Sequence, residues 1–331
     1  MNSKRIYIFC PAEYTSGGPL LLHQFAAAVN EDRHDFVALM VYYTGDWRLV
    51  DLDSAEPYRK YNVPHEFEIE KINKEENIVI IPEQVTILTR VFNKPNTVIW
   101  WLSVDNYVKS NLVLKNYNEC GLDPLGIMSK DRWLHMVQSY YAYDFIAQAF
   151  GIDEKHAIYV SDYLDDEFVD IINLKERDNV VCYNPKKGKE TIESIMELSS
   201  AKDIKWRPLI NMSAEEVHEA LSEAKVYVDF GNHPGKDRIP REAAISGCCV
   251  ITNRLGAANY QNDVPIPDEY KFDDPLLFAE DIVGLIKDIF SDYENRKNDF
   301  ATYCDMIRSE KEWFKEDVAS ALKYYSEFFN L

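Results

Sequence analysis

The residues with the clearest capacity for chemistry lie in DFGNHPGKDRIPREAAISGCCVIT, positions 229 to 252. An apolar run ends at Phe230, and a loop holding His233, Gly235, Lys236 and Arg238 follows. Pro240 is expected to open a helix that carries Glu242 in its first turn. The free N–H groups of such a helix start, with Lys236 and Arg238 beside them, can stabilise the oxygens of a diphosphate. Glu242 can accept two hydroxyl hydrogens at once, which is how a carboxylate grips the vicinal diol of a ribose. A carboxylate there can also simply offset the helix dipole, worth about 0.3 to 1 kcal/mol. Dipole compensation alone does not predict the basic, glycine-containing loop next to it, which favours the binding role.

Three other loops carry basic or acidic groups. NPKKGKE, residues 184 to 190, sets Lys186, Lys187 and Lys189 in a turn after the apolar run NVVCY. Lysines in turns are commonly just solvated; their place at a strand end singles these out. PAEYTSGGP, residues 11 to 19, contains Glu13, Gly17 and Gly18. The glycine pair is either a plain tight turn or a place where backbone can approach a bound group at the head of a helix. WWLSVDNY, residues 100 to 107, puts Asp105 just beyond another apolar run. Asp105 is either a turn aspartate beside core tryptophans or a general base acting on a hydroxyl, with Trp100, Trp101 and Tyr107 offering flat faces to the CH-rich face of a sugar. His23, His135 and His156 fall within or next to regular elements and read as packing or capping residues. No His, Cys or carboxylate set has metal-ligand spacing, and no metal ion is expected.

These loops need strands that end where they begin. RIYIFC (5 to 10), DFVALMVYY (35 to 43), NIVIIP (77 to 82), NTVIWWLS (96 to 103), LHMVQS (134 to 139) and HAIYVS (156 to 161) are the near-continuous apolar runs that a sheet covered on both faces requires. Helices are expected from Pro19 to Asn30 and from Tyr140 to Phe150. The acidic stretch 161 to 178 has no long apolar run and reads as a crossing between domains. A second series follows: NVVCY, a helix with Ile192, Ile195 and Met196 on one face, a capping box formed by Ser213 and Glu216, VYVDF, and CCVIT. The last stretch, EWFKEDVASALKYYSEFFNL, repeats Trp313, Phe314, Val318, Leu322, Tyr325 and Phe329 at helical spacing.

Strands alternating with helices in both halves predict an α/β protein with two Rossmann-like, doubly wound parallel sheets. Ligands of such sheets lie outside the carboxyl ends of the strands, so two sheets facing each other make a cleft. The expected division is an N-terminal domain 1–162, a linker 163–177, a C-terminal domain 178–311, and a final helix 312–331.

The 331 residues leave room for two cores, and 46% hydrophobic and 13% aromatic content can fill them. A net charge of −20 repels phosphodiester backbones and anionic lipid, so no nucleic-acid partner is expected. The six cysteines show no paired spacing; Cys248 and Cys249 read as buried strand residues, in keeping with a reducing cytoplasm. No apolar run approaches the ~20 residues needed to span a bilayer, and MNSKRIYIFC is too short in apolar residues for a leader.

IPREAAISGCCVIT resembles the C-terminal domain of GT-B glycosyltransferases, particularly the bacterial enzymes that build cell-surface polysaccharides such as capsule and lipopolysaccharide. In that superfamily a glycine-containing loop, a Pro shortly before a Glu, an Ala-rich helical turn and a Gly precede a short apolar strand. The family's Glu binds the donor ribose, and Glu242 falls on it. The resemblance implies that Lys186, Lys189, His233, Gly235, Lys236 and Arg238 bind the donor, that Gly17 and Gly18 serve an acceptor or phosphate loop, and that Asp105 or Glu13 acts on the acceptor side. Many retaining members carry a second Glu eight positions upstream, where this chain has Pro234, with His233 and Asp237 as the nearby substitutes. The implied activity is metal-independent transfer from a nucleotide-sugar to a glycan or lipid-linked glycan, in the cytoplasm or at the inner face of the membrane. The alternatives are a sugar-nucleotide epimerase of the same architecture and a nucleotide-sugar-binding protein without catalysis.

Overall fold

A computed structural model describes residues 4–12, 14–31, 35–116, 133–169 and 176–331. It divides into two compact units: residues 1–162 with 312–331, and residues 163–311.

The first unit runs β1 (Lys4–Pro11), α1 (Gly17–Glu31), β2 (Phe36–Tyr43), α2 (Ile69–Ile72), β3 (Ile78–Pro82), β4 (Asn96–Trp101), α3 (Val104–Asn116), β5 (Leu134–Val137), α4 (Tyr140–Phe150) and β6 (Ala157–Tyr159). All six strands pair in parallel in the order β2-β1-β3-β4-β5-β6. Their uniform burial explains the lack of alternation in the sequence: Ile6, Tyr7, Ile8 and Phe9 of β1 are all fully buried, as are Ile78 to Ile81 of β3. Ser139 caps α4 by accepting the Ala142 N–H, and Gly151, in left-handed conformation, ends it. Phe314, Val318, Leu322 and Tyr325 of the last helix are buried, and Tyr324 donates to the Lys155 carbonyl at 2.6 Å.

The second unit opens with Leu164 in its core and a short helix α5 (Asp166–Val169), so the stretch assigned to a linker begins as part of this unit. Then come β7 (Asp178–Tyr183), α6 (Lys189–Met196), β8 (Lys205–Pro208), α7 (Ala214–Glu223), β9 (Ala224–Asp229), α8 (Arg238–Ile245), β10 (Cys249–Asn253), β11 (Lys271–Phe272), α9 (Ala279–Ser291), α10 (Tyr293–Arg296) and α11 (Ala301–Phe328), which begins eleven residues before the expected 312 and belongs to this unit only as far as Lys311. Five parallel strands lie in the order β11-β10-β9-β7-β8. The Ser213 and Glu216 capping box forms at the head of α7. Arg177 gathers the ends of two helices by donating to the carbonyls of Leu221 and Ala224 and of Ser246. No helix among the described residues is long and apolar enough to cross a membrane.

Candidate functional site

In the second unit the chain builds β7 and β8 on one side and then crosses to lay β9 on the other side of β7. The loops leaving β7 and β9 therefore diverge at a topological switch point, the place where open α/β sheets bind ligands. Their backbones touch. A Cβ on Gly188 would lie 2.5 Å from the carbonyl carbon of Phe230, and one on Gly231 would lie 2.3 Å from the Cβ of Lys187. Gly188 also has φ +62°, a conformation that side chains resist. Gly188→Ala is accordingly expected to lower the unfolding free energy by at least ~1 to 2 kcal/mol, measurable by urea denaturation, because neither backbone can withdraw without moving its strand.

The two loops are also joined by charge. Lys187 Nζ donates to Asp237 Oδ2 at 2.6 Å, and His233 Nδ1 lies 3.0 Å from the same oxygen. Asp229 accepts from Tyr227 OH at 3.0 Å and from the Gly231 N–H at 3.1 Å, with His233 Nε2 at 3.8 Å. Burial opposes a charged imidazole at His233, but the hydrogen bond to Asp237 and the charge of Asp229 outweigh it and hold its pKa above the ordinary value. Burial likewise opposes the Asp237 carboxylate, and His233 and Lys187 more than compensate, pulling its pKa down. This makes Asp237 the hub of the loop and Lys187 its bridge to β7.

The structure corrects three details. α8 begins at Arg238, so Pro240 is its third residue and Glu242 lies in the second turn, out of the position that best offsets the dipole. Pro240 fits there because first-turn N–H groups have no partner within the helix. Lys236 is not a loose base at the site: its side chain is buried and donates to Glu310 Oε1 at 2.7 Å, while Arg241 Nη1 donates to Glu310 Oε2 at 2.8 Å. Glu242 is itself largely buried, with Arg238 Nε 3.7 Å from its Oε1. Burial raises its pKa, and Arg238 and Arg241 partly reverse that. Lys186, in the loop after β7, and Lys189, the first residue of α6, are exposed; Lys189 lies 3.6 Å from Glu193. Gly235 is buried in the loop.

In the first unit the switch point falls between β1 and β3, and a cavity of about 460 Å³ opens at their carboxyl ends. Gly18 lines it, and α1 begins at Gly17, two residues before the expected start at Pro19. Glu13 lies outside the described residues. Asp105 sits in the first turn of α3 and is not among the lining residues; its charge acts on the Tyr141 hydroxyl instead. The flanking aromatics are not sugar platforms either. Trp100 packs on Phe25 inside the core, and Trp101, also fully buried, packs on Tyr107 and on the partly buried Phe145 and Phe150. The carboxyl that does line the cavity is Glu83, directly after β3, accepting the Leu102 N–H at 2.9 Å. Burial pushes its pKa up to about 8. His23 is held by the Pro19 carbonyl and Tyr42 OH, and His135 accepts from Trp101 Nε1 at 3.0 Å. Among the described residues no three His, Cys, Asp or Glu side chains gather as metal ligands would.

No family model and no curated protein matches the sequence. Solved structures do match over nearly the whole chain. A glycosyltransferase from Rickettsia africae ESF-5 is 14% identical with a TM-score of 0.65, covering 99% of both chains. Anabaena Alr3699/HepE in complex with UDP is 13% identical at TM-score 0.64, covering 97% of this chain and 99% of that one. The lipopolysaccharide outer core galactosyltransferase WaaB is 11% identical at TM-score 0.64, covering 96% and 99%. The chain has the GT-B fold. At these identities the likeness is one of architecture, and it assigns the GT-B chain neither a substrate nor site residues.

Within this GT-B fold, sequence reasoning missed Glu83 and Glu310. Glu83 follows Pro82 in a segment that reads as ordinary loop, and only burial at the mouth of a cavity makes it chemical. Glu310 is 69 residues from Arg241 along the chain, and no local pattern announces their pairing.

Proposed function

We propose that the protein is a glycosyltransferase that takes a sugar from a nucleoside diphosphate donor held in its second unit and passes it to a glycan or lipid-linked glycan acceptor. The observation that carries this reading is Glu242: a carboxylate set beside Arg238 on the helix that leaves the β9 loop, at the switch point between β7 and β9. Its two oxygens suit a ribose diol. Arg238, Lys186 and Lys189, with the N–H groups that open α6 and α8, suit a diphosphate, and in this reading they rather than a divalent cation meet the charge that grows on the leaving group. His233 and Asp237 occupy the part of the loop where Pro234 replaces a retaining enzyme's second glutamate. A complex of HepE with UDP-glucose has the same fold, which makes uridine nucleotides the first donors to test. A role in bacterial surface polysaccharide assembly is the finer form of the proposal, and the likeness to WaaB favours it.

A nucleoside diphosphate present at 100 times its Kd should raise stability by about 2.7 kcal/mol. UDP, or one of the ADP, GDP, CDP and TDP set, is expected to do so in thermal-shift or urea titrations, and Glu242→Ala should remove most of the gain while leaving the ligand-free protein folded. Absence of stabilisation by every nucleotide would refute the reading.

A further inference from the structure

Among the described residues four non-glycine positions have φ in the left-handed region, and three of them are asparagines, the residue type that tolerates it: Asn62, Asn211 and Asn330. The fourth is Trp47, at φ +64°. It follows β2 in a tight turn in which the Trp47 N–H donates to the Thr44 carbonyl at 2.7 Å and the Thr44 N–H to the Arg48 carbonyl at 3.0 Å. Asp46 fastens the turn by accepting from Thr44 Oγ1 and, at 2.6 Å, from Arg48 Nε. A bulky side chain in this backbone costs of order 1 to 3 kcal/mol. Burial does not offset that cost, since Trp47 is 43% exposed. Trp47 instead lines the 460 Å³ cavity, whose size lies within the ~300 to 1,000 Å³ usual for small-molecule sites.

The rest of the wall mixes the apolar Leu22, Val85 and Leu102 with polar side chains and, among the described residues, carries no fixed positive charge. Ser16, Gln84, Ser103, Asn106 and Ser110 contribute hydroxyl and amide groups, and no Lys, Arg or His lines it among the described residues. Among the described residues its one carboxyl is Glu83, whose pKa burial raises to about 8 and which is therefore mostly uncharged at pH 7. An anionic ligand would have to shed water here against a carboxyl and without a compensating cation, which is strongly unfavourable. A cation would find no fixed negative charge to replace its hydration. A ligand with many hydroxyls and one CH-rich face meets none of these penalties.

We propose that this cavity is a subsite for one uncharged sugar ring, with the indole of Trp47 under its CH-rich face and the Ser103, Asn106 and Gln84 side chains at its hydroxyls. That the ring belongs to the acceptor rests on the glycosyl-transfer reading above; that a sugar binds here does not. The acceptor end is then neutral, and any phosphate or uronate group lies elsewhere in the acceptor.

Saturation-transfer NMR on the full chain without nucleotide tests the site apart from the donor reading. The probes are methyl glycosides of glucose, galactose, mannose and N-acetylglucosamine, with methyl glucuronide and glucose 6-phosphate as charged counterparts. At least one neutral glycoside is expected to show transfer to its ring CH protons, and both charged probes are expected to bind at least about tenfold more weakly. Trp47→Asn should weaken the neutral ligand about tenfold while the unfolding midpoint holds or rises, since asparagine suits the backbone of this turn. Asn106→Ala provides a second arm that does not touch the turn. Failure of every neutral glycoside to bind, equal binding of the charged probes, or unchanged affinity in both variants would overturn the proposal. The nucleotide titration with Glu242→Ala reports on the donor site alone, so either reading can fail without the other.

Discussion

Glu310→Ala is expected to lower the unfolding free energy by about 3 to 5 kcal/mol, more than any substitution at the surface of the loop between β9 and α8. The Glu310 side chain is fully buried and accepts from Lys236 Nζ at 2.7 Å and Arg241 Nη1 at 2.8 Å. Arg241 reaches further, donating to the Lys236 carbonyl at 3.1 Å and to the Asp237 carbonyl at 3.3 Å. Removing the carboxylate strands two desolvated cations that it had neutralised, and desolvated charge is what makes the loss large. Urea denaturation of wild type and variant checks the magnitude. Adding Lys236→Met to Glu310→Ala should recover part of the loss, because one of the two excess charges goes with it. A loss below about 1 kcal/mol would instead place the pair in a wetter setting than its burial indicates. On the glycosyl-transfer reading proposed above, the same variant should also weaken nucleotide binding, since Lys236 ties the β9 loop to α11.

Glu83→Gln is expected to change how stability depends on pH. The folded-state pKa of Glu83 is raised from 4.5 to about 8 by burial, against the pull of hydrogen bonds from the backbone of Leu102 and Ser103. A raised pKa means that the folded state holds the proton more tightly than the unfolded chain. The stability linked to that proton is therefore fully present below about pH 4.5, declines as pH rises, and is gone above about pH 8. At ~1.4 kcal/mol per pH unit the full swing has an upper bound of roughly 5 kcal/mol. Groups such as Asp237, whose pKa is lowered, act in the opposite direction at lower pH, so the difference between wild type and variant is the quantity to measure. Chemical denaturation between pH 5 and 9 should show the glutamine variant gaining on wild type by a few kcal/mol as pH increases. Parallel curves would mean that the carboxyl is hydrated in solution.

The fold was legible wherever burial covers both faces of a strand, because Tyr7, Ile80, Trp100 and Val181 each sit in an unbroken apolar run that polar loops delimit. β8 was missed for the converse reason: Lys205, Trp206, Arg207 and Pro208 lie on the edge of their sheet, half exposed, and leave no apolar run to read. In the candidate site, the helix carrying Arg238 and Glu242 was visible from its Pro, its Ala pair and Gly247. Its start was placed two residues late because Pro240 also satisfies the rules for a first helical position, and nothing local shows that Arg238 and Ile239 join the turn. The role of Lys236 could not be read from sequence, since its partner comes from α11. Trp100 and Trp101 were ambiguous between core and ligand surface, and packing alone resolved them, while Trp47 drew no notice because its significance lies in a backbone angle.

The division of the chain into residues 1–162 plus 312–331 and residues 163–311 has a consequence for biosynthesis. Domains commonly fold in the order in which they leave the ribosome. Here the second unit is one continuous stretch and can finish as soon as it has emerged, whereas the first must wait for Phe314, Val318, Leu322 and Tyr325 to seal its apolar face. The earlier-made half of the protein is therefore the later to mature, and a nascent chain halted near residue 311 would carry a finished second unit and an unsealed first one that invites chaperones.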